Sequence, residues 1–240
     1  MTAQRVQARG ELRVCIWPDY YGITLRNPRT GALAGMDIDL AAALAADLKV
    51  APRHVDSSFA TLVDDLLQDR CDVAMFAVGR TAQRERQLRF TRPYAESDIY
   101  AVTTRSSRVV RRWEDLDRPG VRIAVQAGTF METVMAGALK QATLVVVRPP
   151  QTRERELEAG RVDAFMTDYP YSRRLLDNAD WARLVAPPSP FYVTPYAYAV
   201  KPGDPGWLAI VDDFVARAQR DGRLRSAAEK HGLGSIVKAR

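Results

Sequence analysis

VAMFAVGRTAQR, Val73 to Arg84, runs from a continuous apolar segment through small residues into a polar turn. An apolar run of this length predicts a strand over 73–78 that is covered on both faces, the habit of strands in α/β sheets. The run finishes at Ala77 and Gly79, small residues that let a ligand approach main-chain groups. Arg84 follows on a helical turn. A guanidinium matches a carboxylate in bidentate fashion, and such a charge-assisted bond contributes roughly 1.5 to 3 kcal/mol. Arg80, Arg86 and Arg89 lie close by, so a solvated arginine is the plain alternative.

Working outward, LRVCI (12–16) reads as a strand, 37–48 as a helix, 50–55 as a strand and 59–67 as a helix leading into 73–78. The rhythm restarts after Pro93 with strands over 99–104 and 121–125, a helix over 130–140 and a strand over 143–147. A helix over 152–159, a strand over 162–166 and a helix over 170–176 complete it. Strands alternating with helices predict parallel sheets, with ligands outside the carboxyl ends of the strands. FTRPYAESDIY (90–100) and APPSPFYVTPYAYAV (186–200) are extended by their prolines and read as two hinge crossings. Two helices, 206–219 and 223–231, close the chain, with Gly222 between them. The expected architecture is a discontinuous first lobe, 1–94 and 194–240, and a second lobe, 95–193.

The 240 residues are 47% hydrophobic and 27% charged, an ordinary globular balance. The net charge of +6 comes from scattered arginines, without the basic block of a nucleic-acid footprint. No run approaches the ~18 apolar residues of a membrane span. The polar residues 1–11 carry no apolar signal core, and a removed or trimmed secretory leader leaves the same appearance. Cys15 and Cys71 lack metal-ligand spacing, and two buried free thiols are the expectation.

Dinucleotide, phosphate-loop, nucleophile-elbow and zinc-protease signatures are missing. His54 and His231 lie in different segments and read as structural or surface residues, so neither a metal nor a cofactor is expected. Two further strand ends stand out. IAVQAGTFMET (123–133) passes through Gln126 and Gly128 into a helix start, where Thr129 and Glu132 have the form of a capping box. Free N–H groups at such a start also receive an anion. VDAFMTDYPY (162–171) puts Asp168 just past its strand, either to cap the helix near Pro170 or to accept from a ligand ammonium.

Five segments together carry a resemblance over nearly the whole chain: 10–48, CDVAMFAVGRTAQRERQLRFTRPY (71–94), VRIAVQAGTF (121–130), GRVDAFMTDYP (160–170) and DGRLRSAAEKHG (221–232). Their order and spacing resemble family 3 of the extracellular solute-binding proteins, the polar amino-acid receptors of ABC importers. The resemblance implies a two-lobed periplasmic-binding fold of type II, closing about its hinge on a zwitterion for membrane importer subunits. It implies a periplasmic, monomeric protein without nucleic-acid partner. It implies that Arg84 clamps the ligand carboxylate with help from Thr129, that Asp168 takes the ammonium, and that main chain at Ala77 and Gly79 adds bonds. Gln126 is placed with Thr129 in the ligand set.

Tyr20 and Phe59 align with the rings that sandwich the ligand side chain, with core packing as the other explanation. Trp17 stands where receptors for cationic amino acids often carry an aspartate, which turns the expectation toward an apolar or aromatic ligand, although Asp19 could substitute. ELRVC and PDYYGIT also resemble the cyclohexadienyl dehydratases, which eliminate water from arogenate or prephenate on this fold. That branch implies a carboxylic acid three residues after the aspartate, where Tyr171 stands here. A phenol, with an ordinary pKa of roughly 10, is a poor proton donor, so binding without catalysis is the expectation.

Overall fold

The computed structural model describes residues 1–237. It divides into two compact units, Met1–Glu96 with the chain from Thr194 onward, and Ser97–Val193. The first unit opens with α1 (Thr2–Arg9), β1 (Glu11–Ile16) and a meander of β2 (Asp19–Tyr20), β3 (Thr24–Arg26) and β4 (Leu33–Ala34). α2 (Met36–Asp47), β5 (Ala51–Asp56), α3 (Leu62–Leu67), β6 (Val73–Gly79) and α4 (Ala82–Glu85) follow, then β7 (Arg89–Phe90) and β8 (Ala95–Ser97). The second unit contains β9 (Ile99–Thr104), β10 (Arg122–Gln126), α5 (Phe130–Ala138), β11 (Thr143–Val147), α6 (Arg153–Glu158), β12 (Ala164–Asp168), α7 (Tyr169–Asn178) and β13 (Ala182–Val185). β14 (Thr194–Val200), α8 (Pro205–Arg220) and α9 (Arg223–Lys230) return to the first. No described helix is long and apolar enough to cross a membrane.

The first unit is built on a sheet in the order β5-β1-β6-β14-β7, with β8 on β14, and the second on β11-β10-β12-β9-β13. The mixed α/β architecture expected from the sequence is present, but its sheets are not wholly parallel. β1 runs parallel to β5 and β6, and β10 to β11 and β12. β14 runs antiparallel to β6, and β9 antiparallel to β12. The parallel pairs are joined through helices. β9 and β14 instead enter straight from the segments that link the units, so no helical crossover forces their direction.

All seven residues of β6 are buried, as an apolar run without alternation requires. α2 buries Leu40, Ala41, Leu44 and Ala45 along one stripe. Its entry is fixed by Gly35, at φ 146°, where a Cβ would lie 2.1 Å from the carbonyl oxygen of Ile23. The core of the second unit gathers Ile99, Ala101, Ile123, Val125 and Met166 against Met131 and Met135 of α5. α1 has no counterpart in the sequence reading. Its face is narrow, only Thr2 and Val6 being buried, and Gly10 ends it in a left-handed turn.

The expectation of free thiols is overturned. Cys15 and Cys71 form a disulfide with Cα atoms 5.5 Å apart across 56 residues. β1 lies beside β6 with Cys15 opposite Ala74, which brings Cys71, two residues ahead of β6, close to β1. Spacing along the chain gave no hint of that sheet order. A cross-link over so long a loop restricts the unfolded chain and is typical of proteins outside the reducing cytosol. Replacing both cysteines with serine is expected to lower stability by about 2 to 4 kcal/mol. Urea unfolding measures this as a lower midpoint, which thiol reduction of the native protein should reproduce.

Candidate functional site

In the first unit the carboxyl ends of β1 and β6 carry the residues singled out above. Just past β1, the Trp17 ring lies 5.3 Å from Tyr20 and 5.4 Å from Phe59, and Phe59 lies 5.1 Å from Phe76. Phe59 also faces the Arg84 guanidinium at 5.7 Å. Thr81 caps α4 by accepting from the Arg84 N–H at 3.3 Å, and Arg84 Nη1 donates to the Gly79 carbonyl at 2.9 Å. Arg84 is 7% exposed, so it is not a solvated arginine. Burial pulls its pKa down to about 10, against the opposing influence of Tyr196 and Tyr20, and it remains a cation at neutral pH.

Behind this strand end lies a group that the sequence reading missed. Asp37, at the start of α2, is 0% exposed. Its Oδ2 accepts from Tyr94 Oη at 2.6 Å and from the Ala77 N–H at 2.8 Å, and its Oδ1 accepts from Tyr198 Oη at 2.8 Å. Ala77 has φ 48°, a left-handed conformation that disfavours a side chain. It falls where the register between β6 and β14 shifts, Ala197 pairing with Val78 but Ala199 with Ala74. Such a bulge frees an N–H from the ladder, and Asp37 takes it. A signal was available in the sequence: Asp37 falls on the same helical stripe as Leu40, Ala41 and Leu44.

In the second unit the carboxyl ends of β10 and β12 are neighbours in register. The Gln126 carbonyl accepts from Thr129 Oγ1 at 2.7 Å and from the Thr129 N–H at 3.3 Å. Glu132 Oε2 accepts instead from the Gly128 N–H at 2.8 Å. The expected capping box is therefore absent, because the threonine hydroxyl donates backward rather than accepting from α5. Asp168 is the last residue of β12, 1% exposed, and its Oδ1 accepts from the Tyr171 N–H at 3.1 Å as the cap of α7. Tyr171 is buried, with its hydroxyl donating to Glu154 Oε1 at 2.5 Å.

Trp17, Tyr20, Phe59, Ala77, Gly79 and Arg84 are thus grouped at one sheet's carboxyl edge. Gln126, Thr129, Asp168 and Tyr171 are grouped at the other's. The histidines stand apart: His54 lies on β5, and His231 Nε2 is 2.9 Å from Asp39 Oδ2.

Comparisons with known proteins agree on one family. The model for bacterial extracellular solute-binding proteins, family 3, matches residues 12–234. Among curated relatives, a cyclohexadienyl dehydratase of Pseudomonas aeruginosa is 30% identical over 226 residues, 94% of this chain and 84% of that protein. The L-cystine-binding protein TcyJ of Escherichia coli is 24% identical over 98% of this chain and 87% of its own. Among solved structures, the ancestral amino acid-binding protein AncCDT-1, a precursor of cyclohexadienyl dehydratase, superimposes with a TM-score of 0.86 at 28% identity, covering 96% of this chain and 99% of that one.

Burial raises the Asp37 pKa to about 6, against the three hydrogen bonds that lower it. The folded state then binds more protons than the unfolded state between about pH 4 and pH 6, so this group's contribution to stability falls as pH rises through that window. Above it, holding the charge costs on the order of 3 kcal/mol. Asp37→Asn keeps one acceptor oxygen for Tyr94 and Ala77 and can donate to Tyr198. That variant is expected to lack the wild-type fall in stability between pH 4 and pH 6 in paired thermal melts, whereas Asp37→Ala, which orphans three donors, is expected to lose about 2 kcal/mol or more.

Proposed function

We propose that this chain, which belongs to family 3 of the bacterial extracellular solute-binding proteins, captures a small amino acid or related zwitterion by hinge closure and presents it to the membrane subunits of an ABC importer. Arg84 takes the ligand carboxylate, with Thr129 and the main chain at Ala77 and Gly79 beside it. Asp168 takes the ammonium. Trp17, Tyr20 and Phe59 meet the side chain, and Gln126 and Tyr171 complete the set.

The observation that carries this reading is the burial of Arg84 at a strand's carboxyl end, braced by Gly79 and facing the Phe59 ring. An arginine that is only a surface charge has no reason to lose water there, whereas a carboxylate receptor gains strength from a water-poor setting. Asp168 caps α7 through Oδ1 at the end of its strand, and a carboxylate can accept several hydrogen bonds at once. The location is extracytoplasmic, in keeping with the disulfide. A secretory leader removed from the mature protein and action as a monomer belong to the same proposal.

A second reading is an enzymatic one, favoured by the 30% identity to a cyclohexadienyl dehydratase. The Tyr171 hydroxyl, which stands where that branch implies a carboxylic acid, donates to the Glu154 carboxylate. Incubation with prephenate is therefore expected to give no aromatic ultraviolet spectrum. Product that forms with wild type and vanishes in Tyr171→Phe would reverse this ranking.

Binding itself is tested by a thermal-shift panel of amino acids, in which stabilisation by the ligand grows as RT ln(1 + [L]/Kd). Arg84→Met and Asp168→Asn are each expected to weaken binding on the order of a hundredfold while the circular dichroism is unchanged. No shift with any zwitterion at millimolar concentration would sink the proposal.

A further inference from the structure

The second unit holds a buried cation outside the proposed ligand set. Arg153, at the first turn of α6, is 3% exposed. Its Nη1 donates to the Met166 carbonyl at 2.7 Å, and its guanidinium carbon lies 5.2 Å from the Phe165 ring centroid and 4.7 Å from that of Tyr171. Phe165 and Met166 belong to β12, which ends two residues on at Asp168, and Tyr171 supplies the N–H that Asp168 accepts. Arg153 therefore lies against the same strand end as the proposed ammonium receptor.

Among the described residues no carboxylate forms an ion pair with Arg153. Glu154, its neighbour in the chain, is turned to the Tyr171 hydroxyl. A guanidinium stays protonated at any working pH, and one neutral carbonyl with two ring faces offsets only part of the cost of burying it. A guanidinium carries five donors along the edge of its plane, and the Met166 carbonyl accepts from one of its nitrogens. A carboxylate arriving along that edge supplies both the countercharge and a bidentate geometry.

We propose that Arg153 receives a second carboxylate of the ligand, which makes this a receptor for short acidic amino acids of the aspartate or glutamate kind. The inference rests on the reading that Asp168 takes the ligand's ammonium. It places one anion on Arg84, the cation on Asp168 and the second anion on Arg153.

The test uses the full chain, stripped of bound solute, titrated calorimetrically with L-glutamate against L-glutamine and L-aspartate against L-asparagine. The members of each pair share a shape and differ in charge. At least one acid is expected to bind about tenfold or more tighter than its amide, the equivalent of one good charge-assisted bond. Arg153→Met is expected to abolish that ratio while leaving the amide's affinity within about threefold. An amide that matches its acid overturns the inference, as does an acid preference that survives in Arg153→Met. If neither pair binds but another amino acid does, the inference falls and the amino-acid reading stands. If no amino acid binds, both fall. Should Arg153→Met fail to fold, Arg153→Lys keeps the charge without the planar fork and is expected to weaken the acid more than the amide; equal weakening of both overturns the assignment.

Discussion

A carboxylate buried beside three neutral donors, at Asp37, governs the geometry of the first unit. Burial disfavours its charge, and the Tyr94 and Tyr198 hydroxyls and the Ala77 N–H hold it against that cost. The arrangement ties α2, β6 and β14 to one point. It also accounts for the conformation of Ala77: a left-handed alanine persists only where its surroundings over-determine it, and the captured N–H does so. Gly79 and Arg84 follow from that bulge within a few residues, so the placement of the guanidinium is tied to the buried carboxylate of Asp37.

The same economy recurs in the second unit with the sign reversed. Arg153 is buried against ring faces and one carbonyl near the end of β12. Buried charges held by neutral groups are costly, and their cost is lowest where an incoming ion of opposite charge completes the set. A binding protein can exploit this, because the free energy withheld in the unliganded state is recovered only by a ligand of matching charge pattern. Capping gives the anionic end of the proposed site its rigidity: Asp168 is fixed by α7 as much as by its strand.

Much of the architecture was legible. The strands over Ile99–Thr104 and Thr143–Val147 follow from β-branched runs bounded by breakers, and β6 from a run with no polar interruption. What escaped was whatever depends on strands meeting through space. The direction of β9 and β14, the Cys15–Cys71 bond and the bulge at Ala77 are set by sheet order, which local pattern does not encode. Asp37 could have been noticed as an acid on an apolar stripe, and Arg153 as an arginine one turn before the buried Leu157 on a short helix. Each looks like an ordinary surface charge until its helix is docked. Arg84 and Asp168 were legible as positions at strand ends, and the cap that Asp168 makes was one of its two expected roles, whereas the burial of Arg84 came only with the fold.

The proposed site holds a zwitterion by its carboxylate at Arg84 and by its ammonium at Asp168. A crystal structure of the protein with the solute that co-purifies from its native compartment examines this most directly. The expected density is that of an amino acid whose carboxylate oxygens lie within hydrogen-bond distance of the Arg84 guanidinium and whose nitrogen lies within the same reach of an Asp168 oxygen. A solute that touches neither side chain, or an amino acid bound in the opposite orientation, would contradict it.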